Sequence, residues 1–242
     1  MMNTADMKQN LVIIPGWGGT KKSWKEFAEK AQNDFEVRCL ELPCFGDAPC
    51  PQSVWGVDEY AEYVAKEIAD LEKPIILGHS FGGQIAVNLV ARKNDVCSKL
   101  ILSGAAVIRN ENKFRQVWFL ILAKIGKIIF SLPILNKTEN FAKKILYKAA
   151  DSPDYNKTQG IKREIFQKIT RQSQKEKLQD IKVPTLVVWG SRDSYVPLKE
   201  GKIIAASIVG ARLEIIKGAK HGLHINNIDE LLRLVKNFAA EK

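Results

Sequence analysis

Pro74-Ile75-Ile76-Leu77-Gly78-His79-Ser80-Phe81-Gly82-Gly83 runs a short apolar strand straight into a glycine-flanked serine. Helical periodicity follows at once, through Ile85, Ala86, Leu89 and Val90. On its own, a G-x-S-x-G spacing arises by chance on the order of once per several thousand positions. The strand before it and the helix after it make the pattern specific. A serine on so sharp a strand-to-helix turn stands above the edge of a sheet, and the flanking glycines let the backbone turn tightly. The helix N-terminus just beyond favours negative charge that develops beside the serine.

The same alternation of strand and helix extends to both sides of this stretch. Leu11–Ile14, Val37–Leu42, Lys99–Ser103, Thr185–Trp189 and Arg212–Ile216 read as strands. Helices are expected over Ser23–Asn33, from Asp58 as cap to about Leu71, from Leu198, and over about Asp229–Ala239. Together these predict an α/β class with a mainly parallel, six-stranded sheet. The rhythm breaks between about 106 and 180, where only helical periodicity is present. Residues 1–105 and 181–242 are therefore expected to form one α/β core, and 106–180 a helical cap or lid inserted into it.

At 242 residues and 45% hydrophobic, the chain suits one core domain with one insertion. Its net charge is +10, and 17 of the 37 Lys and Arg, against 7 of the 27 Asp and Glu, lie between Ala105 and Lys182. The whole positive excess is thus confined to this middle segment. The longest apolar stretch there, Val117–Ala123, is closed by Lys124. It falls well short of the roughly 18 residues of a membrane span, so no stable membrane insertion is expected. No secretory signal is read in the polar first ten residues. Cys39, Cys44, Cys50 and Cys97 contain no CxxC pair, and free thiols in a reducing cytoplasm are the expectation.

A serine hydroxyl needs a base, and the chain has three histidines. His79 adjoins Ser80 on the turn, so its side chain is expected to point elsewhere, as a packing or supporting residue. His221 follows the last strand directly and is read as the base. His224 either lines the substrate pocket or begins the next helix. The base needs a carboxylate to hold its tautomer, and Asp193, in the loop after the penultimate strand, is placed to supply it. The chain order Ser80, Asp193, His221 is that of a nucleophile-elbow hydrolase. An oxyanion also needs donors. The backbone N–H of Phe81 is one candidate, and that of Trp17, in the Pro15-Gly16-Trp17-Gly18-Gly19 loop after the first strand, is the other.

Taken together these residues resemble the α/β-hydrolase superfamily over almost the whole chain outside the insertion. Two departures stand out: Pro15-Gly16 where family members usually carry His-Gly, and Pro43-Cys44-Phe45-Gly46 where they carry a Pro-Gly-x-Gly turn. The chain begins at what would be the family's third strand, hence a minimal six-stranded version. Within the family, Pro-Gly-Trp-Gly, Leu-Pro-x-Phe-Gly and a single helical cap are similar to carboxylesterases related to the pimeloyl-carrier-protein methyl ester esterase. The resemblance implies a serine esterase acting through an acyl-enzyme, with no metal and no cofactor. The expected substrate is a small-molecule ester with a small to medium apolar acyl group, and Trp118 and Phe119 are candidate pocket residues. The basic insertion suits either an acidic acyl carrier protein, which would make the substrate a carrier-bound methyl ester or a thioester, or a merely solvated face. A ligand receptor without turnover is the alternative of another class. Nucleic acid is not an expected partner, because no recognised module accompanies the charge.

Overall fold

The computed structural model describes residues 8–109 and 159–241. Six strands form one sheet: β1 (Gln9–Ile14), β2 (Phe35–Cys39), β3 (Ile75–His79), β4 (Lys99–Ser103), β5 (Thr185–Gly190) and β6 (Arg212–Ile216). Their spatial order is β2-β1-β3-β4-β5-β6, and every pairing is parallel. This is the six-stranded parallel α/β-hydrolase core that the sequence implies. Among the described residues the α-helices are α1 (Lys21–Ala31), α2 (Val57–Glu67), α3 (Phe81–Arg92), α4 (Gly160–Ile169), α5 (Leu198–Ser207), α6 (Leu223–Asn226) and α7 (Ile228–Ala240).

The apolar runs are explained by burial on both faces of the sheet, as parallel sheets require. Leu11, Ile13, Ile75, Leu77, Ile101, Leu186 and Val188 share one core with Trp24 and Phe27 of α1 and with Leu231, Leu234, Val235 and Phe238 of α7. Side chains alternate along a strand, so Val12, Ile76, Leu100, Leu102 and Val187 face the other way and are equally buried. There α3 packs on β3 and α5 on β5. The order in which strands are added switches side between β1 and β3, which opens a crevice beyond their carboxyl ends. The first loop and the Ser80 turn both emerge there.

Boundaries match the expectation for β4 and β6 and for the start of α5, and shift by a few residues elsewhere. One cap is corrected. Asp58 does not start α2; Gly56 does. The Gly56 N–H donates to Glu59 Oε2 (2.7 Å), and the Val57 N–H to Gln172 Oε1 (2.8 Å). The Asp58 carboxylate instead accepts from Asn88 Nδ2 (2.8 Å), which holds it below the usual carboxylate range.

A second correction concerns the cysteines. Cys44 and Cys50 form a disulfide, with Cα atoms 4.1 Å apart; Cys39 and Cys97 are free. The residues between them fold back in a tight turn, with Cys44 in the left-handed region (φ 75°) and its N–H donating to Pro49 O at 3.2 Å. That turn closes a six-residue separation that sequence spacing does not reveal, and it removes the argument from four free thiols. Burial pushes the two remaining thiols up to about 12.

Two compact units divide the chain: residues 1–109 with 168–242, which hold the sheet, and residues 110–167, most of which lie outside the described residues. Among the described residues no helix is long and apolar enough to cross a membrane. When the protein is denatured without reductant and alkylated, two of its four cysteines should react, and peptide mapping should find Cys44 linked to Cys50. Replacing both by serine should lower the unfolding free energy in urea by about 2 kcal/mol, from the freed loop in the unfolded chain. Four alkylated cysteines would contradict the pairing.

Candidate active site

β3 ends in Gly78-His79, and α3 begins at Phe81, leaving Ser80 alone in the turn. Its φ of 52° and ψ of −114° are strained for a residue with a side chain. Hydrogen bonds hold it there. The Ser80 N–H donates to Ser103 O (3.1 Å), and Ser80 O accepts from the N–H groups of Gly83 (3.1 Å) and Ala106 (2.9 Å). Gly82 is needed for closeness: a Cβ there would run into the Ile14 and Pro15 carbonyl oxygens, so α3 begins hard against the end of β1. A Cβ on Gly16 would lie 3.0 Å from Ser80 Cβ, which puts the first loop directly beside the serine.

Asp193 and His221 come from the loops after β5 and β6 and meet over the end of β4. His221 Nδ1 lies 2.7 Å from Asp193 Oδ2. The other carboxylate oxygen, Oδ1, accepts from the backbone N–H groups of Tyr195 and Val196, both at 2.9 Å. Both oxygens are thus engaged, and the Asp193 side chain is buried. With the carboxylate ionised, His221 Nδ1 carries a proton and Nε2 is left to accept one. Gly104 lies close beside the pair. It sits at φ 52°, and a Cβ there would come within 3.1 Å of His221 Nδ1 and 3.3 Å of Asp193 Oδ2.

Ser80 Oγ makes no hydrogen bond among the described residues, so the serine–histidine bond that acyl transfer requires is not closed in this state. Such contacts are often long without substrate. His79, which precedes Ser80 in the chain, has its ring centroid 4.8 Å from that of His221. His79 is buried, and its Nδ1 donates to Ser103 O at 2.9 Å, beside the Ser80 N–H on the same carbonyl.

Of the expected oxyanion donors, Phe81 occupies the first position of α3, where helix N–H groups have no partner within the helix. The Trp17 ring packs edge-on against Phe45 (4.8 Å) and Phe81 (5.9 Å), which holds the first loop to the turn. His224 is the second residue of α6 and faces inward: it is 8% exposed and stacked on Trp24 at 4.0 Å and 7°. Trp118 and Phe119 lie outside the described residues.

Sequence reading missed how the three histidines gather. His79 and His224 are 4.7 Å apart, and burial is the first cause that keeps both uncharged. It depresses His79 well below the usual imidazole range and His224 to about 4. Gly104 and Tyr195 were also missed. The only sequence signal for the first is a glycine directly after a strand, and for the second its place two residues beyond Asp193.

The model of the alpha/beta hydrolase family matches residues 11–234. A pimeloyl-[acyl-carrier protein] methyl ester esterase of Neisseria meningitidis is 25% identical, covering 96% of this chain and 77% of its own. A 2-hydroxy-6-oxononadienedioate/2-hydroxy-6-oxononatrienedioate hydrolase of Klebsiella pneumoniae is 21% identical, covering 97% and 88%. Among solved structures, an esterase from Exiguobacterium antarcticum has a TM-score of 0.72 at 19% identity, covering 97% and 93%.

The histidine cluster gives stability a pH dependence of definite sign. A histidine whose folded value is depressed binds its proton more readily when unfolded, so stability is full above about 6.5 and falls as pH drops towards 4. For His224 alone the loss between pH 7.5 and pH 5 should be about 2 kcal/mol, with His79 adding in the same direction. Urea unfolding at the two pH values checks it, and His224→Phe, which keeps the stack on Trp24, should shrink the drop. Equal stability at both pH values would contradict the buried, neutral pair.

Proposed function

This chain belongs to the α/β-hydrolase family, and we propose that it is a serine esterase cleaving carboxylic esters of small to medium apolar acyl groups, with Ser80 as nucleophile, His221 as base and Asp193 as its orienting acid. The observation that carries this reading is the His221–Asp193 hydrogen bond over Gly104, formed at the sheet end where Ser80 stands on its strained turn.

In the first step Ser80 Oγ attacks the ester carbonyl carbon, and His221 Nε2 takes the hydroxyl proton. The carbonyl oxygen becomes an oxyanion, and the N–H groups of Phe81 and Trp17 are assigned to bind it. The intermediate collapses, the C–O bond breaks, and the alcohol leaves with the proton from His221. In the second step water attacks the acyl-serine and gives its proton to His221; the bond from the acyl carbon to Ser80 Oγ breaks, His221 returns the proton to that oxygen, and the acid is released. Asp193 stays ionised and stabilises the imidazolium in both halves. The neutral state of His79 and His224 matters here, because a charged neighbour would oppose the positive charge that His221 acquires. Residues 106–180 are read as the cap that supplies the acyl pocket, on their aromatic and aliphatic content.

A carrier-bound acyl ester is the second reading. Two observations favour it: the confinement of the +10 excess to residues 105–182, and the name carried by the Neisseria relatives. An acidic carrier steered by that charge would lose kcat/KM as salt rises, whereas a free methyl ester would not.

Hydrolysis of p-nitrophenyl esters from acetate to palmitate, by wild type and Ser80→Ala, tests the reading. Turnover should peak at one acyl length and fall by about 10⁴-fold or more in the variant. Undiminished turnover by Ser80→Ala would overturn the serine mechanism. Labelling of Ser80 without turnover of any free or carrier-bound ester would favour a receptor.

A further inference from the structure

The Asp193 loop carries one large side chain that the mechanism above does not use. Tyr195 is 61% exposed, yet its ring lies stacked on the His221 imidazole, centroids 5.2 Å apart and planes 22° from parallel. Its backbone N–H is one of the two that donate to Asp193 Oδ1. The next residue anchors the turn: Val196 is buried, and its carbonyl accepts from Trp189 Nε1 at 2.9 Å. The ring is therefore carried on a short turn fixed into the core at one end and bonded to the carboxylate at the other.

We propose that Tyr195 is a positioning residue for the base, orienting Asp193 through its main chain and the plane of His221 through its ring. This rests on the esterase reading of the site. A single hydrogen bond at Nδ1 fixes one point of the imidazole and leaves its plane free to swing about that point. Nε2 must nevertheless aim at Ser80 Oγ in the first step and at water in the second. A stacked ring restricts that swing. An aromatic face also attracts the imidazolium that forms in both steps. Among the described residues, the other ring that lies against the base, that of His79, is poorly suited to that task. His79 is tilted by 43° to His221, and His224 is stacked on Trp24 instead. The phenol hydroxyl has no part in the argument, so phenylalanine should serve as well as tyrosine and an aliphatic residue should not.

The test compares Tyr195→Phe and Tyr195→Leu with wild type on the best p-nitrophenyl ester. The Phe variant should keep kcat within about two-fold, and the Leu variant should lose about three- to five-fold in kcat with KM little changed. In the protein without substrate, the downfield proton resonance of the His221–Asp193 hydrogen bond should persist in the Phe variant and broaden in the Leu variant. Wild-type kcat in the Leu variant, an equal loss in both variants, or an effect confined to KM would overturn the assignment; the last would make Tyr195 a substrate contact. If wild type turns over no ester, the esterase reading fails separately, and the resonance still decides the role of Tyr195. Should the leucine variant melt early, Tyr195→Gln repeats both measurements.

Discussion

The hydrogen bond between His221 and Asp193 joins loops that leave two different strands, and it passes close over Gly104, the residue directly after β4, which lies between the elbow strand and β5. Much of the surrounding structure serves that one contact. Two backbone N–H groups hold the far oxygen of the carboxylate, Trp189 fixes the turn that supplies them, and Ser103 O binds both the elbow N–H and the His79 ring. The parallel sheet brings these carboxyl ends together at one end, and the switch in strand order between β1 and β3 leaves a crevice there.

The site is also where the fold gives up stability. Ser80 holds a strained backbone, and two imidazoles are buried uncharged. Among the described residues, Trp24 Nε1, Ser103 Oγ and His224 Nδ1 are buried with no hydrogen-bond partner. The doubly covered sheet, with fully buried strands and the strongly amphipathic α7, offsets this. A site that is destabilised locally and supported by a rigid core is a common arrangement in enzymes, where activity and stability pull apart.

The sheet was legible, and Ser80, Asp193 and His221 could be singled out as the proposed triad, because each has a local signature. β4 and β6 are bounded by composition alone, and the serine, the aspartate and the base each follow an apolar strand at short range. What stayed hidden depends on long-range pairing. The cap of α2 is decided by Gln172, 115 residues away from Val57, so the acidic Asp58 looked like the natural start. The disulfide depends on a left-handed Cys44 that folds the turn back. His79 and His224 read as a turn neighbour and a pocket or helix residue, because nothing in their local sequence says that Trp24 of α1 packs against both. Tyr195 looked like an ordinary loop residue, since only the folded chain lays it across His221.

Stoichiometric labelling by a fluorophosphonate, followed by peptide mapping, tests the serine–histidine–aspartate assignment most directly, since it needs no knowledge of the natural ester. Wild type should take up one phosphonyl group, on Ser80, and His221→Ala should label at least about 100-fold more slowly while remaining folded, because the hydroxyl then lacks its base. Labelling at another residue, or equal rates with and without His221, would contradict it.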